Sequence, residues 1–236
     1  MRPRMLSELR DDAYKRSDNE GADEDDGRHP AVDVDRYINQ GRAEFRDLLI
    51  EARGSEFLRA DAPETITTTE DTTSYELPEQ FYLLISVRLQ ADSFSEPLVP
   101  FNSQEEPRLR DTNATALGYP THYQLRRTSD GTSSLAVLPE HDAGLSIIVD
   151  YVPALEDLEA DDDTDDGING WEAYVVDYAA REMAIRDQEW DLVKVIEGDM
   201  ARMRERIMRL APRRDMHRAR RVKDVRGARL LGRPFR

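Results

Sequence analysis

The segment 169–210 constrains the fold more than any other, because an apolar stripe at helical spacing runs through nearly all of it. Trp171, Val175, Tyr178, Ile185 and Leu192 share one face, and Val193, Ile196, Met200, Met203, Ile207 and Leu210 then recur at alternating steps of three and four. Asn169 stands three residues before Glu172, the spacing of a capping box, and Pro212 cannot continue a helix. The spacing predicts one long helix over 169–210 whose second half is a seam for a partner helix. Burying such side chains is worth roughly 1.5–3 kcal/mol each before entropy is charged. This helix is therefore expected to supply the largest block of core.

Charge divides the chain. The net charge is −16, yet residues 201–236 hold 14 Lys/Arg against only Glu205, Asp215 and Asp224, a local +11 that leaves −27 on the first 200 residues. An acidic body repels nucleic acid, whereas the basic end suits phosphates or an acidic protein. The absence of cysteine excludes disulfides and thiolate chemistry. The apolar runs 81–87 and 147–149 are far shorter than the roughly 20 residues of a membrane span. Residues 1–9 lack an apolar stretch of secretory length, so neither a signal peptide nor a membrane role is expected.

Read in order, Leu6, Leu9, Ala13 and Tyr14 suggest a short helix capped by Ser7. Residues 17–35 contain eight acids with Gly21, Gly27 and Pro30 and no apolar period, which describes a solvated acidic loop. Asp35 then suits the cap of a second helix presenting Ile38, Gly41, Phe45, Leu48, Leu49 and Ala52, with Gly54 at its end. From 64 to 152 the period changes to two. Strands are expected at 65–69, 73–77, 81–89, 97–101, 122–127, 133–138 and 145–151, with Asp130-Gly131 turning the fifth into the sixth. Val87 and Leu89 alternate with Arg88 and Gln90, as in a sheet with one wet face. Residues 156–166 carry eight acids in eleven positions just ahead of the long helix, whose dipole favours negative charge there.

Little in the chain points to catalysis. The run Asp162-Asp163-Thr164-Asp165-Asp166-Gly167 suggests a calcium loop, but starting at Asp162 places Ala173 where a bidentate acid belongs, and starting at Asp161 places Asp166 where glycine is needed. It reads as a solvated linker. His29, His122, His141 and His217 are widely separated and none stands four residues from another, so they read as surface or turn residues. Neither a nucleophile-elbow pattern nor a phosphate-loop glycine pattern is present. Three readings suit the basic end: a solvated extension, a nucleic-acid arm with Phe235 as its lone aromatic, or a peptide that orders in a partner's groove.

Residues 166–176, with Gly167-Ile168-Asn169-Gly170-Trp171-Glu172 at their centre, are followed by Ala179-Ala180, a charged helix, Pro212-Arg213-Arg214-Asp215 and Arg220-Arg221-Val222-Lys223-Asp224-Val225. This order resembles the C-terminal part of phage head-to-tail adaptor (connector) proteins. Upstream, Tyr37-Ile38-Asn39-Gln40-Gly41-Arg42-Ala43-Glu44-Phe45 resembles the family's second helix, Pro100-Phe101-Asn102 its sheet insert, and Tyr151-Val152-Pro153 the end of that insert. The acidic loop 17–35 and the segment beyond Val225 depart from the family pattern. The resemblance implies a structural protein without catalysis, cofactor or metal. It implies a homo-oligomeric ring, a dodecamer, in the virion neck at the portal vertex, assembled in the host cytoplasm. That ring joins the portal protein to tail or nozzle proteins and passes DNA without sequence-specific binding.

The expected organisation is α+β: N-terminal helices (1–62) with the acidic loop, an antiparallel β insert (63–155), an acidic linker (156–168), a long helix completing the bundle (169–211) and an extended basic tail (212–236). The tail is expected to dock on the portal through Arg213, Arg214, Arg218, Arg220, Arg221, Val222, Lys223, Val225, Arg226, Arg229, Leu230 and Leu231. The helix seam is Val193, Ile196, Met200, Met203, Ile207 and Leu210. Two other classes suit the chain: a nucleic-acid-binding or regulatory protein using the basic arm, and a hydrolase with an acidic metal site.

Overall fold

A computed structural model describes residues 3–18, 28–70, 72–91, 94–111, 119–165 and 170–211. The fold is α+β, with two apolar cores. The helical body contains α1 (Leu6–Arg16), α2 (Ala31–Arg53), α4 (Ala173–Arg186) and α5 (Trp190–Leu210). Its centre is α4, in which Tyr174, Val175, Ala179, Ala180 and Met183 lie on different sides of the helix and are all buried. An isolated helix of that composition has no wet face, so it must be surrounded. Contacts from α1, α2 and α5 surround it.

The segment 169–211, expected as one helix, is therefore two. It breaks at Asp187–Glu189, where Gln188 takes φ +63° and Glu189 N–H donates to Ala184 O at 2.9 Å. A straight helix of that length would span about 60 Å and leave half its stripe unburied. Folding back packs α5 against α4 and α2, and α5 is the long C-terminal helix of the fold. Asn169 lies outside the described residues, and α4 starts at Ala173 with Glu172 as N-cap and no side-chain cap bond. Nor does Ser7 cap α1: Met5 is the N-cap, Glu8 accepts a bond from its N–H, and Ser7 Oγ donates to Asp161 O at 3.0 Å. Likewise α2 starts four residues before Asp35, behind Pro30, so the described end of the acidic stretch is helical.

The insert follows a 3-10 turn, Ser55–Leu58. Its strands are β2 (Glu64–Thr67), β3 (Ser74–Glu76), β4 (Phe81–Ala91), β5 (Phe94–Pro97), β6 (Val99–Pro100), β7 (His122–Arg127), β8 (Ser133–Leu138) and β9 (Ser146–Pro153). A short helix, α3 (Glu106–Asp111), lies between β6 and β7. They form two sheets, ordered β2-β9-β4-β5 and β3-β8-β7-β6. Val87, Leu89, Ile147 and Val149 from one sheet meet Tyr75, Leu135 and Val137 from the other. The chain crosses between sheets at Leu98, whose N–H donates to Val87 O at 2.9 Å. One pairing departs from the antiparallel expectation: β6 runs parallel to β7, since it arrives by the crossover instead of a hairpin. The β7–β8 turn holds Gly131 at φ +94°, a conformation that needs no Cβ. A pair of short strands, β1 (Arg4–Met5) and β10 (Thr164–Asp165), ties the chain ahead of α1 to the stretch ahead of α4.

Candidate docking surface

Between the insert and α4 the chain crosses the body as a strap, residues 154–165, and three side chains hold it there. Asn39, on α2, clamps Leu158 from both sides: its Nδ2 donates to Leu158 O at 3.1 Å and its Oδ1 accepts from Leu158 N–H at 3.0 Å. Arg42, one turn on, donates from Nε to Asp165 Oδ1 at 3.0 Å and from Nη1 to Glu156 O at 2.9 Å and Asn39 Oδ1 at 3.0 Å. Arg10, on α1, grips Asp35 with two bonds, 2.8 and 2.9 Å, and Asp161 with a third at 2.9 Å. These forked contacts raise the Arg10 pKa further, the Asp35 bond contributing most. Asp163 folds the strap on itself by accepting from the N–H groups of Glu159 and Ala160, both at 2.8 Å, and those bonds hold its carboxyl below the usual range.

The acids of this stretch are thus of two kinds. Asp165, expected on the surface, is buried in a pair with Arg42, because a guanidinium fork can neutralise a carboxylate that leaves water. Glu156, Asp157, Glu159, Asp161 and Asp162 are exposed.

A groove runs along one side of the strap. One part, about 600 Å³, is lined by Gln80, Glu156, Asp157 and Asp163 among others. It shares Arg42, Pro153, Ala154, Leu155 and Asp165 with a second part of about 210 Å³ lined by Phe45, Arg46, Leu49 and Leu58. The groove is acidic at one end and apolar at the other. Arg46 stands at the apolar end, where burial lowers its pKa, and donates to Pro153 O.

Across the body, Tyr174 Oη donates to Glu44 Oε1 at 2.5 Å, and Arg204 Nη2 donates to the same oxygen at 2.7 Å. Burial, with the Glu44 bond second, pushes the Tyr174 pKa up to about 12. Arg16 joins α1 to α4 and α5 through Asp177 at 2.8 Å and Asp199 at 2.5 Å. Burial raises the Asp177 carboxyl although Arg16 opposes it, while the Arg16 bond depresses that of Asp199.

Of the seam residues, Ile196, Met200 and Ile207 enter the helical core and Met203 packs against it. Val193 is also buried, while Leu210 is exposed. All twelve tail residues expected at the portal, Arg213 to Leu231, lie outside the described residues. The strap clamps were not among the expected site residues. Their sequence signal is an Arg and an Asn three apart on the buried side of α2, in a chain with an acidic run elsewhere to receive them. Among the described residues no group of three or more His, Asp or Glu is placed to hold a metal, and no helix is long and apolar enough to cross a membrane.

A family model described as SU10 adaptor protein matches residues 5–226, which takes in the body, the insert and the strap. No curated protein matches the chain.

Proposed function

Because this chain belongs to the SU10 adaptor protein family, and is on that ground a structural phage adaptor, we propose that it is the head-to-tail adaptor that joins the portal to the tail and continues the DNA channel. The observation that carries this reading is the family match over 5–226. The acidic body supports it: a channel that passes DNA must not hold it, and −27 on the first 200 residues against a chain total of −16 repels phosphate. In this reading twelve copies form a ring in the virion neck, and the tail 212–236 docks each copy on the portal. Arg contributes planar bidentate contacts to portal carboxylates, and many weak contacts on two rings add through multivalency.

The test mixes the full chain with empty, DNA-free portal rings and reads mass and symmetry. A twelvefold complex is expected, and deletion of 212–236 should abolish it. Failure of the full chain to attach overturns the reading. Attachment that needs packaged DNA favours a nucleic-acid arm instead.

A further inference from the structure

The groove beside the strap, acidic at one end and apolar at the other, suits a basic segment that also carries scattered aliphatic side chains. We propose that in the free subunit the basic segment 212–236 lies in this groove, and that the portal releases it.

The position of Ala211, the last described residue, points to this occupant. Glu44, Tyr174 and Arg204 fix α2, α4 and α5 at one level. Asp33 pairs with Arg186, so α2 runs opposite to α4, and Asp177 and Asp199 meet at Arg16, so α5 does as well. Hence α2 and α5 run the same way. Seven residues past Arg204, at about 1.5 Å each, Ala211 stands beside the last two turns of α2. Phe45, Leu49 and Leu58, which line the apolar end of the groove, belong to or pack against the same core as Ile207 and Ala211. A helix is about 10 Å across, so four or five extended residues at about 3.3 Å each carry the chain round it.

Charge points the same way. Segment 212–236 holds ten Lys/Arg against Asp215 and Asp224, a net +8. Of the strap's exposed acids, Glu156 and Asp157 line the groove, while the lining cations are engaged elsewhere, Arg42 with Asp165 and Arg46 with Pro153 O at the apolar end. The segment also carries Val222, Val225, Leu230 and Leu231, which suit the apolar end. Tethering places it at an effective concentration on the order of millimolar, so contacts too weak to hold a free peptide suffice. A tail parked in this way is kept from DNA until portal carboxylates compete for the same Arg residues. The proposal rests on the adaptor reading only for the tail's destination.

The chain has no cysteine, so one engineered pair is unambiguous. Full-length protein carrying Asp157→Cys and Ala219→Cys is treated with a short bismaleimide at low salt. The expected result is a crosslink within single chains, with a rate that falls by about fivefold or more in about 0.5 M salt, where the screening length is only a few ångström, and likewise on adding Glu156→Lys at the acidic end of the groove. A rate indifferent to both changes overturns the proposal, as does a crosslink that forms only between chains. Mixing with empty portal separates the two readings. Loss of portal binding in every uncrosslinked protein counts against the adaptor reading and leaves the groove result standing. A crosslinked subunit that binds portal as well as the uncrosslinked one overturns the release step.

Discussion

Gly41 on α2 and Tyr178 on α4 approach so closely that a Cβ on Gly41 would lie 3.0 Å from Tyr178 Cβ and 3.1 Å from its Cγ. The approach is what lets α2 reach α4 along their shared length, and the tyrosine backbone-side atoms cannot swing away. Elsewhere on a helix, Gly→Ala gains about 1 kcal/mol of helix propensity. At Gly41 overpacking of about 1–3 kcal/mol opposes that gain, so Gly41→Ala is expected to lower the melting temperature. Gly198 on α5 has nothing within 4 Å of such a Cβ. Gly198→Ala is expected to stabilise by about 0.5–1 kcal/mol. Thermal unfolding of the two variants checks the signs, and equal shifts would remove the packing argument.

The seam on α5 makes a second contrast. Ile207 is fully buried, while Leu210, one turn later on the same stripe, is 37% exposed. Ile207→Ala is expected to cost about 2–5 kcal/mol and Leu210→Ala about 0.5 kcal/mol or less. Denaturant unfolding measures both. A large loss at Leu210 would mean that something absent from the single chain covers that position.

These contrasts mark what the sequence could reveal. Strands β7 and β8 were legible because Tyr123 and Leu125 alternate with Gln124 and Arg126 on one side of Asp130-Gly131 and the short apolar run Leu135-Ala136-Val137-Leu138 follows on the other, and local pattern decides such a hairpin. The break at Gln188 was hidden, since a left-handed residue that is not glycine leaves no letter to read, and the stripe on either side keeps helical spacing. Its trace is the step from Leu192 to Val193, where the stripe changes phase. Strand β5 was missed because Ser95, Glu96 and Pro97 make a polar edge without alternation. The clamps Arg10, Asn39 and Arg42 were illegible for another reason: their partners lie more than a hundred residues away, and only the fold brings them together.

The Tyr174–Glu44–Arg204 cluster gives a pH dependence with a definite sign. The folded pKa of Tyr174 is about 12, above the ordinary value of 10. The unfolded tyrosine therefore ionises first. Its contribution is fully present below pH 10 and is lost as pH rises from 10 through about 12, by no more than about 2 kcal/mol. Tyr174→Phe should flatten that part of the stability curve relative to the parent chain. Parallel curves for the two proteins across that window would refute the assignment.

The pair that fixes the strap supports the sharpest prediction. Arg42 and Asp165 are both nearly buried, with side chains 8% and 12% exposed, and Arg42 also holds Glu156 O and Asn39. Removing one partner of such a pair leaves a charge with no water and no counter-ion, which costs about 3–5 kcal/mol. Arg42→Met should therefore destabilise strongly, although its packing volume is nearly kept. Replacing both partners with apolar residues should recover much of the loss, because a desolvated pair gains little over well-packed side chains. The strap supplies a local readout as well. Leu158 N–H donates to Asn39 Oδ1, and the Asn39 side chain is braced by Arg42. In Arg42→Met the amides of Leu158, Glu159 and Ala160 should exchange faster than those of α4, whereas in Asp162→Asn, at an exposed position, they should not. Uniform acceleration across α4 and the strap would show that the pair stabilises the whole body and does not clamp the strap.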